Sequence, residues 1–78
     1  MQKVVKTIEK NKFQEVRVGI SEFKGNDLID IRIWNTVKDS DEKSPTAKGV
    51  SLNVALYPEL KEAILELEKE LKKNNLIT

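Results

Sequence analysis

The sequence predicts an α+β domain in which a twisted antiparallel four-stranded sheet is followed by one C-terminal helix that packs on one face of the sheet. Alternating apolar and polar residues over 13–23 and 28–34 indicate strands, because successive side chains of a strand point to opposite faces. Aliphatic residues at helical spacing over 58–73 indicate the main helix. The 78 residues are short enough for a single domain, 1–78, with the sheet over 13–52.

The N-terminal segment, residues 1–12, is predicted to be either an additional, fifth strand or a mobile arm. Val4, Val5 and Ile8 lie among lysines there, and so short an apolar pattern does not distinguish the two structures.

The first strong hairpin is predicted to turn at Gly25-Asn26, because a type II′ turn favours glycine in its first central position. This turn would pair residues whose numbers add to 51, so that Ile20 faces Ile31 and Arg17 faces Trp34. The aliphatic side chains of both strands then share one face of the sheet, which is the face that the helix is expected to cover.

The second half of the chain contains a polar segment, a short strand and the helix. Residues 35–46 are predicted to form a flexible loop or the tip of a second hairpin, and residues 47–52 a strand. Pro58 is expected in the first turn of the helix, where the missing backbone N–H does no harm.

Composition excludes several classes of function. The chain has no cysteine and no histidine, so it lacks disulfides, thiolate ligands and the commonest general base, and we expect neither an enzyme nor a metal or other cofactor. The acidic loop residues Asp39, Asp41 and Glu42 lack the central glycine and distal glutamate of a calcium-binding EF-hand. There is no apolar run long enough to span a membrane, and a cytoplasmic protein is expected, nucleoid-associated if the source is prokaryotic.

Charge is unevenly distributed although the net charge is only +1. Residues 1–38, which hold the clearest strands, carry a net charge of +3, whereas residues 53–78 carry −1. A domain of this size without disulfides has a marginal core, so a homodimer is expected.

The face opposite the aliphatic one carries the candidate binding site. Cations interleaved with aromatic rings are typical of surfaces that bind single-stranded nucleic acid, because bases stack on the rings while Lys and Arg contact phosphates. The alternative is structural: Arg17 and Trp34 would form a cross-strand cation–π pair that shields the sheet. The candidate residues are Arg17, Phe23, Lys24, Arg32, Trp34 and Lys48.

Four short segments resemble the C-terminal single-stranded-DNA-binding domain of the transcriptional coactivator positive cofactor four, over about residues 16–68. They are Phe23-Lys24-Gly25, Leu28-Ile29-Asp30-Ile31-Arg32, Lys48-Gly49-Val50-Ser51-Leu52-Asn53 and Leu60-Lys61-Glu62. The resemblance implies a homodimer whose helices contribute to the interface and whose sheets hold single-stranded DNA. It also implies that Phe23 is a stacking ring and that Lys24, Arg32 and Lys48 contact the DNA backbone.

The sequence departs from that family at several positions. Trp34-Asn35 stands where the family has a tyrosine–tryptophan pair, and Ser21, Asn26 and Ala47 stand where basic residues are expected. Fewer cations imply weaker binding and a shallower salt dependence. The chain is most similar to the compact prokaryotic or phage-like members.

These observations predict a non-catalytic, homodimeric protein that binds single-stranded DNA with low sequence specificity, in transcription, replication or repair. Two alternatives share the same open face: a single-stranded RNA-binding protein, which would also contact the 2′-hydroxyl, and a protein–protein interaction module.

Overall fold

The computed structural model describes all residues, Met1–Thr78, and confirms an antiparallel four-stranded sheet followed by one C-terminal helix. The strands lie in the sheet in their chain order, so each is joined to its neighbour by a hairpin. The elements are β1 (Lys3–Asn11), β2 (Gln14–Phe23), β3 (Asn26–Thr36), β4 (Lys43–Asn53), a 3₁₀ turn (Val54–Leu56) and α1 (Tyr57–Lys73).

The N-terminal segment is a strand rather than an arm, and it is the first of the four strands rather than a fifth. β1 pairs with β2 along its length, with register shifts between Val4 and Lys6 and between Glu9 and Asn11. Because it lies at the edge of the sheet and nothing covers either of its faces, every residue of β1 is exposed.

The hairpin between β2 and β3 turns at Lys24-Gly25, so the predicted turn at Gly25-Asn26 is wrong. Lys24 and Gly25 both have positive φ, +51° and +81°, which is the pattern of a type I′ turn. Paired residue numbers therefore add to 49, with Ile20 opposite Ile29 and Phe23 opposite Asn26. The register differs from the predicted one by two residues, an even number, so every side chain keeps its predicted face.

The tip of this hairpin is tied to the start of the chain. The N-terminal ammonium of Met1 donates hydrogen bonds to Asp27, at 2.7 Å, and to Glu22. These hydrogen bonds, first that of Asp27 and then that of Glu22, raise the pKa of the exposed ammonium above its ordinary value. Because Glu22 and Asp27 are directly opposite each other, the ammonium lies against two carboxylates that would otherwise repel.

β4 begins at Lys43, four residues before the predicted start, and the polar segment before it is the tip of a second hairpin. The backbone N–H of Val37 donates to the carbonyl of Glu42 at 2.8 Å, which closes the tip. Pro45 is accommodated inside the strand because β4 is an edge strand, where the missing N–H interrupts no ladder.

The helix begins where it was predicted to begin, but it does not have the predicted contact with the sheet. Pro58 is in its first turn, and the Asn53 side chain accepts a hydrogen bond from the N–H of Ala55 at 2.8 Å, capping the preceding 3₁₀ turn. Within the single chain, however, the helix makes almost no contact with the strands, and the expectation that it packs on its own sheet is wrong. Its apolar residues Ile64 and Leu67 are both more than half exposed.

No residue of the isolated chain is buried, so the chain alone has no core. The radius of gyration is 14.8 Å, whereas a compact domain of this length has about 11.5 Å. The aliphatic face of the sheet and the apolar stripe of the helix are two separate, uncovered surfaces.

Gly19 is required where β1 approaches β2. A Cβ atom at this position would collide with the carbonyl oxygen of Lys3 and lie 3.0 Å from the Cα of Val4. We expect Gly19→Ala to lower the free energy of unfolding by about 1–3 kcal/mol, because the backbone of β1 has to move away. Urea denaturation measures the change, and Ser21→Ala, two residues along the same strand and face, serves as the control. An unchanged midpoint for Gly19→Ala would contradict this close approach.

Candidate nucleic-acid interface

Arg17 and Trp34 form the centre of the open face, the side of the sheet opposite the aliphatic residues. The guanidinium carbon of Arg17 lies 4.0 Å from the centroid of the Trp34 ring. The two residues are diagonal neighbours rather than a direct pair, since Trp34 is opposite Glu15 and Arg17 is opposite Arg32. The predicted cation–π contact between Arg17 and Trp34 is therefore present. The two residues are not directly opposite each other, however, as the predicted register required.

The charge of Arg17 is largely neutralised inside the protein. Its Nε donates a hydrogen bond to the carboxylate of Glu15, and both side chains are partly buried. The ammonium of Lys43 lies 4.0 Å from the same carboxylate and donates to the hydroxyl of Thr36 at 2.6 Å. This end of the face thus combines two cations with one anion around the tryptophan.

Arg32 is held by three internal partners. Its guanidinium donates to Asp30 at 3.1 Å, to the carbonyl of Thr46 at 2.9 Å and to the hydroxyl of Ser51 at 3.1 Å. Two of these partners belong to β4, on either side of the irregularity in its pairing with β3. The hydrogen bonds of Arg32 to β4 stabilise the pairing of β3 with β4. A phosphate that bound Arg32 would have to compete with these hydrogen bonds.

Phe23 and Lys24 lie at the far end of β2, at the hairpin tip. The Phe23 ring is 62% exposed, and the ammonium of Lys24 lies 5.3 Å from its centroid. No acidic group pairs with Lys24. The exposed ring and the free cation beside it make a small surface on which a base could stack and a phosphate could pair.

Lys48 is separated from the other five candidates. Its neighbour Gly49 is opposite Arg32 and so belongs to the open face, which directs Lys48 to the aliphatic face by alternation. Lys48 lines a shallow recess there with aliphatic side chains, namely Val16, Ile31, Ile33 and Val50.

The sequence-based candidates omit one aromatic residue that the structure leaves exposed. Phe13 is 63% exposed in the turn between β1 and β2, and the ammonium of Lys12 lies 5.7 Å from its ring centroid. The signal was present in the sequence, since an aromatic residue beside a lysine is the same combination as Phe23-Lys24. In the sequence pattern, Phe13 marks only the beginning of a strand.

No group of three or more acidic side chains is placed to hold a metal ion. None of the helices has the length and apolar character needed to cross a membrane.

Lys24→Asn should separate stability from binding. Because Lys24 adopts a left-handed conformation that asparagine tolerates better, we expect the free energy of unfolding to rise by up to about 1 kcal/mol. If Lys24 contacts phosphate, affinity for single-stranded DNA should fall, with a salt slope shallower by about 0.7 per subunit. Urea denaturation and titrations at several salt concentrations measure the two effects. Lys73→Asn, which removes the same charge at the end of the helix, is the control; equal slopes in both variants would rule out a phosphate contact at Lys24.

The sheet-and-helix fold and the aromatic and basic groups on its open face are together typical of small nucleic-acid-binding domains. The chain belongs to the family of the transcriptional coactivator p15, PC4, whose profile matches residues 10–63. Membership in this family confirms the resemblance seen in the sequence.

Individual relatives agree with this assignment. A Caenorhabditis elegans protein named as a proposed RNA polymerase II transcriptional coactivator is 37% identical over 51 residues, which are 65% of this chain and 41% of that protein. The matched region therefore spans less than half of the relative's length.

Two solved structures have the same fold. A PC4 homologue from Burkholderia pseudomallei superimposes with a TM-score of 0.79 at 22% identity, covering 88% of this chain and 92% of that one. A bacteriophage T5 homologue of PC4, implicated in recombination-dependent DNA replication, superimposes with a TM-score of 0.67 at 24% identity, covering 96% and 82%.

Proposed function

We propose that this protein is a homodimeric, non-catalytic single-stranded-DNA-binding protein of the cytoplasm, with low sequence specificity, acting in transcription, replication or repair. The observation that carries the proposal is the open sheet face, where the Arg17–Trp34 pair and the exposed Phe23–Lys24 pair combine rings with cations. The family membership supports nucleic acid as the class of ligand.

Aromatic stacking is the main source of affinity in this proposal. Each base stacked on a ring contributes roughly 1–3 kcal/mol whatever its identity, because every base has a π face. Arg17 covers one side of the Trp34 ring, and its planar guanidinium can itself stack on a base. Low sequence specificity follows from this kind of contact.

Electrostatic attraction makes a smaller contribution. Arg17 is paired with Glu15, and Arg32 with Asp30, so these two cations add little net charge to the face. The lysines that lie beside rings without an acidic partner are Lys24, next to Phe23, and Lys12, next to Phe13. Because each phosphate contact to a single strand adds only about 0.7 to the salt slope, a shallow salt dependence is expected.

A second copy of the chain is the proposed cover for the two apolar surfaces. The isolated chain exposes 6,445 Å², whereas a folded monomer of 8.9 kDa exposes about 4,800 Å². An excess of about 1,600 Å² on each of two chains lies within the range that obligate homodimers bury. The aliphatic sheet face and the apolar helix stripe would both contribute to such an interface.

Fluorescence titration tests the proposed function directly, because Trp34 is the only tryptophan. We expect its emission to fall as oligo-dT is added at low salt, and the midpoint to move to higher concentration as salt is added. Duplex DNA of the same length should compete poorly, and a matched RNA oligomer shows whether the 2′-hydroxyl matters. Molecular mass measured in the same buffer should be that of two chains. Unchanged emission from folded protein at low salt would refute the proposal.

A further inference from the structure

We propose that Lys48 is an interface residue, which pairs with a carboxylate on the helix of a second copy of this chain. This pairing fixes the direction in which the helix of one copy lies on the aliphatic face of the other. The interface role of Lys48 rests on the proposed function, because it requires the homodimer. It accounts for the candidate cation that the fold places away from the open face.

Lys48 adjoins an apolar recess in the aliphatic face. The recess has a volume of about 310 Å³ and is lined by Val16, Ile31, Ile33 and Val50 as well as by Lys48. Val16 is opposite Ile33 and Ile31 is opposite Val50, so the recess spans β2, β3 and β4. The helix of the same chain makes almost no contact with these strands. The recess is therefore open to an aliphatic side chain from a second copy.

Lys48 has no acidic partner within its own chain. Its side chain is exposed, and none of the ion pairs includes it. The acidic residues on the same face are Glu22 and Asp27, which bind the ammonium of Met1 at the hairpin tip. Asp27 is six residues from Ile33 along β3, or about 20 Å. Once a second copy covers this face, a carboxylate from that copy is the group that compensates for the water lost around the ammonium.

The helix carries a line of acidic residues along one flank of its apolar stripe. The stripe consists of Leu60, Ile64, Leu67 and Leu71, and the residues that directly precede them are Glu59, Ala63, Glu66 and Glu70. Because successive residues are about 100° apart around a helix, these preceding residues form a line beside the stripe. Glu59 and Glu70 have no cationic partner in the chain, and Glu66 has only an exposed pair with Lys69. When a stripe residue enters the recess, the carboxylate beside it lies at the rim, where Lys48 is.

The opposite flank of the stripe carries charges of both signs. The residues that directly follow the stripe residues include Lys61, Glu68 and Lys72, and Glu68 pairs with Lys72 at 3.6 Å. The stripe alone does not set the direction of the helix, because its intervals of four, three and four residues are the same when counted from either end. Reversing the helix would bring this mixed flank to Lys48. Charge complementarity therefore selects the direction that places the acidic flank over β4.

Lys48→Glu in the full chain tests the pairing. We expect the dissociation constant of the dimer to rise at least about tenfold, because like charges then face each other at both symmetry-related positions. Lys38→Glu, at the exposed tip of the second hairpin, changes the net charge equally and should dimerise like the parent protein. Analytical ultracentrifugation across a concentration series at low salt measures the effect. An unchanged dissociation constant for Lys48→Glu would overturn the proposal.

A second charge reversal on the helix should restore the dimer. Lys48→Glu is combined in turn with Glu59→Lys, Glu66→Lys and Glu70→Lys. One of the three double variants should return the dissociation constant to within about a factor of three of the parent value, because residues in contact are coupled. Restoration by none of them would show that Lys48→Glu acts by disturbing the fold, and the proposal would be wrong.

The direction of the helix is tested with Lys6→Glu. Lys6 is opposite Val18, so it lies on the same face but at the β1 edge, where the mixed flank is expected. The dimer should therefore be weakened much less than by Lys48→Glu. A dissociation constant raised by Lys6→Glu as much as by Lys48→Glu would overturn the assigned direction.

Oligo-dT titrations separate this interface from the proposed function. At protein concentrations where Lys48→Gln is fully dimeric, its affinity for oligo-dT and its salt slope should equal those of the parent protein. A shallower salt slope with unchanged dimerisation would show that Lys48 contacts phosphate instead. If Lys48→Glu dimerises like a parent protein that binds oligo-dT, the interface role is wrong and the proposed function stands. If the parent protein is a dimer that binds no single-stranded DNA, the proposed function is wrong and the charge reversals still decide the interface.

Discussion

Replacing Phe23 and Trp34 together by leucine is expected to lower the affinity for oligo-dT by about 30-fold or more. Each ring should contribute at least about 1 kcal/mol of stacking, and two such losses are worth more than a factor of ten. Leucine keeps the apolar cover that Trp34 provides beside Arg17, so the sheet should remain folded. The measurement is a titration of labelled oligo-dT at low salt, with the fold and the mass checked in the same buffer.

Tyr57→Leu is the matched control for this double variant, because Tyr57 is an exposed aromatic residue outside the sheet. It should bind with the parent affinity. Parent-like binding by the double variant would show that the rings of the open face are structural, and that single-stranded nucleic acid, if bound, lies elsewhere.

Leu67→Glu is expected to dissociate the proposed homodimer. Leu67 lies on the apolar helix stripe, is 52% exposed in the single chain and is assigned to the interface between copies. Without the buried leucine, each subunit loses about 1.5–3 kcal/mol of favourable association free energy. A two-fold axis would also place two glutamates in the same interface. The dissociation constant should rise by at least a factor of about 100. Because the isolated chain has no core, cooperative unfolding should be lost together with the dimer.

The control for this variant is Lys69→Gln, which changes the net charge by the same amount on the polar side of the helix. It loses only the exposed pair with Glu66, worth a few tenths of a kcal/mol. Sedimentation or light scattering across a concentration series measures the effect. A Leu67→Glu protein of unchanged mass would exclude the helix stripe from the interface.

The faces of the sheet could be predicted from the sequence, but the register could not. Alternation alone decides that Val18 is on the aliphatic face and Arg17 on the open face, and this survives any shift of two residues. The choice between Lys24-Gly25 and Gly25-Asn26 depends on whether a lysine adopts positive φ, which propensity disfavours. Pairing along the strands outweighed that local preference.

The position of the helix could not be predicted because the sequence pattern does not say which chain provides the partner surface. The stripe that includes Ile64 and Leu67 shows only that this side of the helix needs cover. A contact with the sheet of the same chain and a contact with another copy satisfy the pattern equally well. The extended shape of the single chain excludes a contact between the helix and the sheet of the same chain, since the helix leaves that sheet uncovered.

The candidate site was predicted in part. Residue type and face identified Arg17, Phe23 and Trp34, which alternation alone brings to one surface, and Lys24 follows Phe23 in the turn. Two of the three internal partners of Arg32 come from β4, fourteen and nineteen residues away along the chain, so they could not be predicted from local sequence. The face of Lys48, by contrast, follows from alternation alone, since Lys48 is two residues from Val50 and therefore shares its aliphatic face.

The meander order of the strands has a consequence for solubility. An open four-stranded sheet leaves β1 and β4 with unpaired backbone groups, which in many proteins template aggregation with other chains. β1 carries Lys3, Lys6 and Lys10 and two irregularities in its pairing, and β4 carries Pro45. Charge, bulges and proline on edge strands all discourage pairing between separate molecules. The same lysines that give the N-terminal half its positive charge thus discourage pairing at an exposed edge, so that the open sheet face can remain accessible without edge-to-edge association.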